Sequence, residues 1–148
     1  MIQEHKELLI KDLCARLPYG VKCAEIYPNN DKIVNKWDIL KIGKFIEDGI
    51  FISNSEETYG YVSQIGNIKP YLYPMSSITE EQKEELYKIG WYLDEDTIYS
   101  CFRNYDDVNY NTHTDCFELI DWCYKNHIDI NGLIKKGLAI DATGKNIY

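Results

Sequence analysis

The sequence predicts an α+β fold in which an N-terminal helix precedes a small antiparallel sheet, with C-terminal helices packed on that sheet. Apolar residues recur at helical spacing near the N-terminus and again in the last third, whereas short, glycine-punctuated runs fill the middle. At 148 residues the chain has the usual length of one domain. We therefore expect a single domain, 1–148, with a helix in 1–20, a β-rich part in 21–73, and a helical part with one or two short strands in 74–148.

The first predicted element is a helix over about residues 3–17. Leu9, Leu13 and Leu17 recur at a spacing of four, which places them on one side of a helix opposite a charged side. Proline cannot continue the helical hydrogen bonding and glycine permits the turn that follows, so Pro18 and Gly20 should end the helix.

Residues 21–73 show strand-like patterns separated by glycines and by the turn at 28–31. Strands of this length with such separators suit an antiparallel meander, which either remains an open sheet or closes into an SH3-like barrel. The first predicted strand begins at 21, and the others cover about 38–46, 50–53, 59–63 and 65–72.

The last third is predicted to be mainly helical. A helix over about 79–89 begins with a capping box, either Ser77 with Glu80 or Thr79 with Gln82. The later predicted elements are a strand at 97–102, an exposed loop at 103–111, a helix at 115–126 capped by Thr114, and a strand at 138–140. On that third helix, Cys116, Ile120, Cys123 and His127 should share one side, with Phe117 and Tyr124 adjacent. We expect the last few residues to be mobile.

The sequence contains no feature that predicts a membrane or secreted location. Its longest apolar runs are a few residues, far shorter than the roughly twenty that cross a bilayer. The N-terminus mixes charges of both signs, unlike a signal peptide. The five cysteines form no Cys-x-x-Cys pair, which is typical of reduced thiols in a cytoplasm.

The net charge of −8 is concentrated in one part of the chain. Residues 1–48 hold eight acidic and eight basic residues, whereas residues 79–129 hold thirteen acidic and four basic ones. Such an acidic region repels nucleic-acid phosphates, because binding them requires clustered lysine and arginine. We therefore expect another protein as the partner and no direct binding of nucleic acid.

Four residues around the third helix are the types that zinc prefers. They are His113, Cys116, Cys123 and His127. Cys116 and Cys123, however, lie two helical turns apart, about 10 Å, so their joint binding to one ion is strained. The same residues suggest a Cys/His nucleophile, although the acidic surroundings disfavour a thiolate. We expect structural roles for them, no catalytic residues and no cofactor.

Several aromatic residues of the β-rich part alternate along their predicted strands. They are Tyr59, Tyr61, Tyr71 and Tyr73, to which Trp37 is a possible addition. Alternate residues share one face of a strand, so each pair either forms an exposed binding surface or packs across strands inside the fold.

Three stretches together resemble a family of small uncharacterised proteins of gut Bacteroidetes bacteria and their phages and prophages. They are KDLCARLPYGVK at 11–22, IKPYLYPMSSITE at 68–80, and IDINGLIKKGLAI at 128–140. The resemblance implies the cytoplasm of a bacterium or of a phage-infected host cell. It implies no activity and no site residues.

These observations favour a noncatalytic protein-binding or adaptor protein of phage or mobile-element origin. Two alternatives come from other classes: a small metal-binding protein or enzyme that uses the cysteines and histidines of the third helix, and a protein that binds a small molecule.

Overall fold

A computed structural model describes residues 1–26, 33–38, 49–53, 60–95, 97–100 and 112–148, and for 33–38 and 112–115 it describes the backbone alone. The elements are α1 (Gln3–Arg16), β1 (Lys22–Ile26), β2 (Ile33–Asp38), β3 (Gly49–Ser53), β4 (Gly60–Gln64), β5 (Ile68–Leu72), α2 (Glu80–Lys88), β6 (Trp91–Asp94), β7 (Thr97–Ser100), α3 (Thr112–Lys125) and β8 (Ile140–Asp141). The predicted α+β class is confirmed.

Helix α1 forms because Leu9 and Leu13 bury one of its sides against the sheet. Complete burial of a leucine side chain contributes roughly 1.5–3 kcal/mol, so this contact holds the helix in place. A 3-10 turn at Leu17–Tyr19 follows, and Gly20 ends it with a φ of 69°, a conformation that glycine adopts without strain. The predicted helix and its end are confirmed.

The main sheet has six strands in the order β4-β3-β2-β1-β5-β8. Its first five strands pair in an antiparallel manner, and β8 adds to β5 in parallel. Among the described strands β4 and β5 do not pair, although only the 3-10 turn Ile65–Asn67 separates them. The described strands therefore form the open-sheet alternative and no closed SH3-like barrel.

The two faces of the sheet are covered by different parts of the chain. Cys23, Ile50 and Ile52 face the core that α1 covers. Ala24 and Tyr71 face the opposite side, where the C-terminal segment covers them. Ile147 of that segment is buried, although the last few residues were predicted to be mobile.

The second core joins α2, α3 and the β6–β7 hairpin. Leu86 of α2, with Trp122 and Cys123 of α3, forms its centre. Thr79 caps α2 with the predicted capping box, in which Gln82 is the reciprocal partner. No helix of the described residues is long and apolar enough to span a bilayer.

Several predicted boundaries differ from the structure. Helix α3 begins at Thr112, so Thr114 lies inside the helix and is not its cap. Residues 65–67 form a 3-10 turn, and β2 ends at Asp38, where a strand was predicted to begin. Residues 39–48 and the loop 103–111 lie outside the described residues. Strand β6 was not predicted; it is fixed by its pairing with β7.

Candidate functional site

The predicted tyrosines do not form one exposed surface in the described part of the chain. Tyr61 lies on the α1 side of the sheet, where its hydroxyl donates to the Glu25 carboxylate. Tyr71 lies on the other face and is only 4% exposed, beneath the C-terminal segment. Tyr73 is half-buried, with its ring 6.0 Å from that of Tyr148. The packing interpretation therefore describes these three residues.

Two aromatic residues of the predicted set are not described in full. Tyr59 lies outside the described residues. The backbone of Trp37 is described, and its Cα pairs with that of Cys23 in the β1–β2 ladder. The side chain of Trp37 lies outside the description.

The cysteines and histidines of α3 lie in different environments. Cys116 is exposed, Cys123 is buried beside Trp122, and His127 stacks on Tyr148 with ring centroids 3.8 Å apart. The side chain of His113 is not among those described. Within the described residues, no group of three or more histidine, cysteine or acidic side chains is placed to hold a metal ion.

Burial determines the chemistry of the Cys123 thiol. It raises the pKa of Cys123 to about 12, and the opposing positive charge of Arg16 does not reverse this. The thiol therefore stays protonated near neutral pH. A protonated thiol is a poor nucleophile and a poor metal ligand, so Cys123 behaves as a small apolar core residue.

A buried ion pair within α1 connects this helix to the C-terminal end of α3. Arg16 donates to both carboxylate oxygens of Asp12, over 2.7 Å from Nε and 3.0 Å from Nη2. Nη2 also donates to the carbonyl of Ile128 over 2.8 Å, and the guanidinium lies 4.8 Å from the centre of the Tyr124 ring. Asn131 donates a further hydrogen bond to Asp12. The network joins α1, α3 and the segment after α3.

His127 follows the last turn of α3 in a buried position. Its φ is 56°, a left-handed conformation that is uncommon outside glycine and that asparagine, aspartate and histidine adopt more often than other residues. Its ring is 6% exposed and packs on Tyr148, whose hydroxyl donates to the carbonyl of Tyr71 over 2.8 Å. Burial lowers the pKa of His127 to about 4, and the positive charges of Arg16 and Lys22 act in the same direction.

The lowered pKa of His127 predicts a specific loss of stability in acid. The unfolded chain binds a proton at His127 near pH 6.5 whereas the folded chain resists it until about pH 4, so the stabilisation is present above pH 6.5 and is lost as the pH falls toward 4. Relative to the variant His127→Asn, which accepts the same φ, the wild-type chain should lose several degrees of melting temperature between pH 7 and pH 4.5.

A second variant controls for effects of histidines in general. His5→Asn changes a half-buried histidine of α1 and leaves His127 in place, so this variant should keep the loss of melting temperature between pH 7 and pH 4.5. A constant difference between the wild type and His127→Asn across this range would contradict the prediction.

Helix α3 has apolar residues on its outer side as well as on its inner side. Leu119, Trp122 and Cys123 face the second core. Phe117 is 72% exposed and Ile120 is 41% exposed. The outer residues recur at spacings of three and four and therefore form one stripe along the helix. We call this stripe the α3 patch, which comprises Phe117, Glu118, Ile120, Asp121 and Tyr124 around a hollow of about 400 Å³.

A groove adjoins the α3 patch along the inner edge of the helix. Its lining is almost entirely apolar, and its volume is about 300 Å³. We call it the Cys123 groove; its lining residues are Met75, Thr97, Ile98, Leu119, Ile120, Cys123 and Ile130. Ile120 belongs to both surfaces, so the apolar surface is continuous from the patch into the groove.

Acidic side chains lie within the α3 patch. Asp121 is exposed and accepts a hydrogen bond from the hydroxyl of Tyr19, which holds its carboxylate on the helix surface. Glu118 is exposed on the same side. The basic residue in the last turn of α3 is Lys125, beyond the patch. The patch thus combines exposed apolar side chains with negative charge.

A third hollow, between α2 and β6, has mixed charge. Its volume is about 450 Å³, and the exposed ring of Tyr87 lies at its edge. Lys83 and Lys88 line it together with two glutamates, and Lys83 is paired with Glu80 at 2.7 Å. This hollow therefore carries charges of both signs and an internal ion pair, whereas the charged residues that line the α3 patch are all acidic.

The α3 patch was only partly predicted from the sequence. The predicted helical side combined Cys116 and Ile120 with Cys123, whereas the structure buries Cys123 and exposes Cys116 and Ile120. The buried side of the helix is instead formed by Leu119 and Trp122 together with Cys123. The available signal was that apolar residues occur all round this helix, which one buried stripe cannot explain.

Comparisons with protein-family models, curated proteins and solved structures found no match to this chain.

Proposed function

We propose that this chain is a noncatalytic protein-binding or adaptor protein that contacts its partner through the α3 patch. The observation that carries the proposal is the exposure of Phe117, at 72%, on a helix whose opposite side is already buried in the core. A phenylalanine that contributes nothing to its own core is costly to leave in water, and burial against a partner removes that cost.

The composition of the α3 patch fits a protein interface. Interface cores are enriched in aromatic side chains, and a few large residues near the centre supply most of the binding energy. Phe117 and Tyr124 supply two aromatic rings, and Ile120 lies between them in sequence. Helix α3 is held firmly by Trp122, whose Nε1 donates to Glu85 of α2 over 3.0 Å. The patch therefore lies on a helix that packs against the second core.

The catalytic alternative has weaker support. A Cys/His nucleophile at α3 needs a thiolate, and burial keeps Cys123 protonated near neutral pH. Cys116 is exposed and lies two helical turns from the buried Cys123, about 10 Å along the axis. The binding proposal therefore accounts for more of the described surface of α3.

The resemblance to proteins of gut Bacteroidetes and their phages supports a cytoplasmic setting in such a bacterium. The acidic stretch 79–129 supports a protein partner over a nucleic acid. A lysate of a gut Bacteroidetes bacterium is therefore the appropriate source for a partner search.

We expect the double variant Phe117→Ser, Ile120→Ser to lose a protein that the wild-type chain retains from that lysate. Truncation of central interface residues typically costs more than 1 kcal/mol each, so retention should fall by about tenfold or more. Both side chains are exposed, so the melting temperature should change little. The measurement is quantitative mass spectrometry of proteins retained on the immobilised chain.

The matched control is Tyr87→Ser, which removes a ring that is 70% exposed on α2. It should retain the same protein as the wild type. Enrichment of no protein, or equal enrichment by the double variant, contradicts the proposal.

A further inference from the structure

We infer that the partner of the α3 patch is a cationic amphipathic helix, which places one large apolar side chain beside Ile120 into the Cys123 groove. The inference rests on the proposed function and specifies the chemistry of the partner. It is carried by three features of the described surface: its length along α3, its charge, and the groove that adjoins it.

The length of the α3 patch matches two turns of a partner helix. Phe117 and Tyr124 lie seven residues apart on α3, a distance of about 10.5 Å along its axis. A helix packed along α3 presents apolar side chains at positions i, i+3 or i+4, and i+7 over the same distance. An amphipathic partner helix can therefore cover Phe117, Ile120 and Tyr124 together, and its own apolar side chains are covered in return.

The charge of the α3 patch selects a basic partner. Glu118 and Asp121 stand among its apolar residues, and both belong to the stretch 79–129, whose sequence is strongly acidic. Lysine and arginine at the flanks of the partner's apolar stripe would meet these carboxylates. The same negative charge repels the anionic surface of a membrane, so a lipid bilayer does not suit the α3 patch.

The Cys123 groove offers space for a single anchoring side chain. Its lining includes Met75, whose flexible thioether adapts to different shapes, and the buried Cys123 lies at its floor. Ile120 forms the boundary between patch and groove, so a side chain that enters the groove starts from a helix lying on the patch. Anchors of this kind usually dominate the affinity of helix-in-groove complexes.

The test uses three fluorescent peptides of about 18 residues, a length of roughly five helical turns. The first is a leucine/lysine peptide in amphipathic order, the second has the same residues in an order that destroys the apolar stripe, and the third has glutamate in place of every lysine. Fluorescence anisotropy with the full chain should show that the first binds about tenfold or more tightly than the others. Its affinity should fall as salt is added.

The protein variants locate the binding. The double variant Phe117→Ser, Ile120→Ser should bind the first peptide about tenfold or more weakly, whereas Tyr87→Ser should bind it as the wild type does. Equal affinity for both lysine peptides would show that charge alone is recognised. That result, absence of binding, or undiminished binding by the double variant overturns the inference about the partner. The proposed function is tested by a different result: it is contradicted when the double variant still retains the cellular protein from the lysate.

Discussion

Replacement of Asp12 by alanine is expected to lower the free energy of unfolding by about 3–5 kcal/mol, because it leaves the Arg16 guanidinium buried without its counter-charge. Both side chains of the pair are fully buried, and Arg16 also reaches the carbonyl of Ile128. Loss of the pair therefore weakens the attachment of α1 to the segment that follows α3. Denaturant unfolding monitored by circular dichroism measures the change.

Two further variants separate the charge from the packing. Replacement of the pair by Asp12→Leu together with Arg16→Met should cost much less than Asp12→Ala, since no unpaired charge is left. Lys11→Ala changes an exposed neighbour on the same helix and should alter the free energy by no more than about 0.5 kcal/mol. A loss below about 1 kcal/mol for Asp12→Ala would contradict the structural role of the network.

The second large effect is expected at Glu25, a buried carboxylate on the core side of β1. Two hydroxyls of β4 donate to it, those of Tyr61 and Ser63. These bonds connect β4 to β1, although β3 and β2 lie between them in the sheet. The variant Tyr61→Phe, Ser63→Ala should lose about 1–3 kcal/mol per hydroxyl, because the buried carboxylate loses its donors.

An apolar replacement of the whole cluster is the informative comparison. Addition of Glu25→Leu to that double variant should restore much of the lost free energy, since the buried carboxylate that had lost its donors is then removed. Ser76→Ala removes an exposed hydroxyl and should have little effect. If the triple variant is less stable than the double variant, the carboxylate contributes through contacts other than these hydroxyls.

The elements with strong local signals were predicted well. The leucine spacing of α1, the capping box of α2 and the pattern of β3 correspond to elements close to their predicted bounds. Strand β6 was missed because its pairing with β7, across a turn that includes Glu95 at a φ of 51°, decides its structure. Its own sequence is too short to show a clear period.

The buried polar residues could not be predicted because their partners are distant in sequence. Arg16 lies seven residues after Leu9 and therefore on the same side of α1, yet only the hydrogen bonds with Ile128 and Asn131 show how Arg16 and Asp12 are accommodated there. Glu25 interrupts an otherwise apolar strand for a reason that only Tyr61 and Ser63 explain. Local periodicity carries no information about such contacts.

The orientation of α3 shows the same limitation at the candidate site. Apolar residues surround this helix, so its periodicity alone did not decide which of them face the core. Contacts of Trp122 with Glu85 and of Tyr19 with Asp121 fix the rotation of the helix. Those contacts leave Phe117 and Ile120 outside, and the α3 patch results from them.

The most direct test of the binding proposal is the dissociation constant of the retained cellular protein, measured after its purification by isothermal titration calorimetry against three forms of the chain. The account predicts that Phe117→Ser, Ile120→Ser weakens binding by about tenfold or more and that Tyr87→Ser leaves it unchanged. Equal dissociation constants for the wild type and the double variant would contradict it, because the contact would then lie outside the α3 patch.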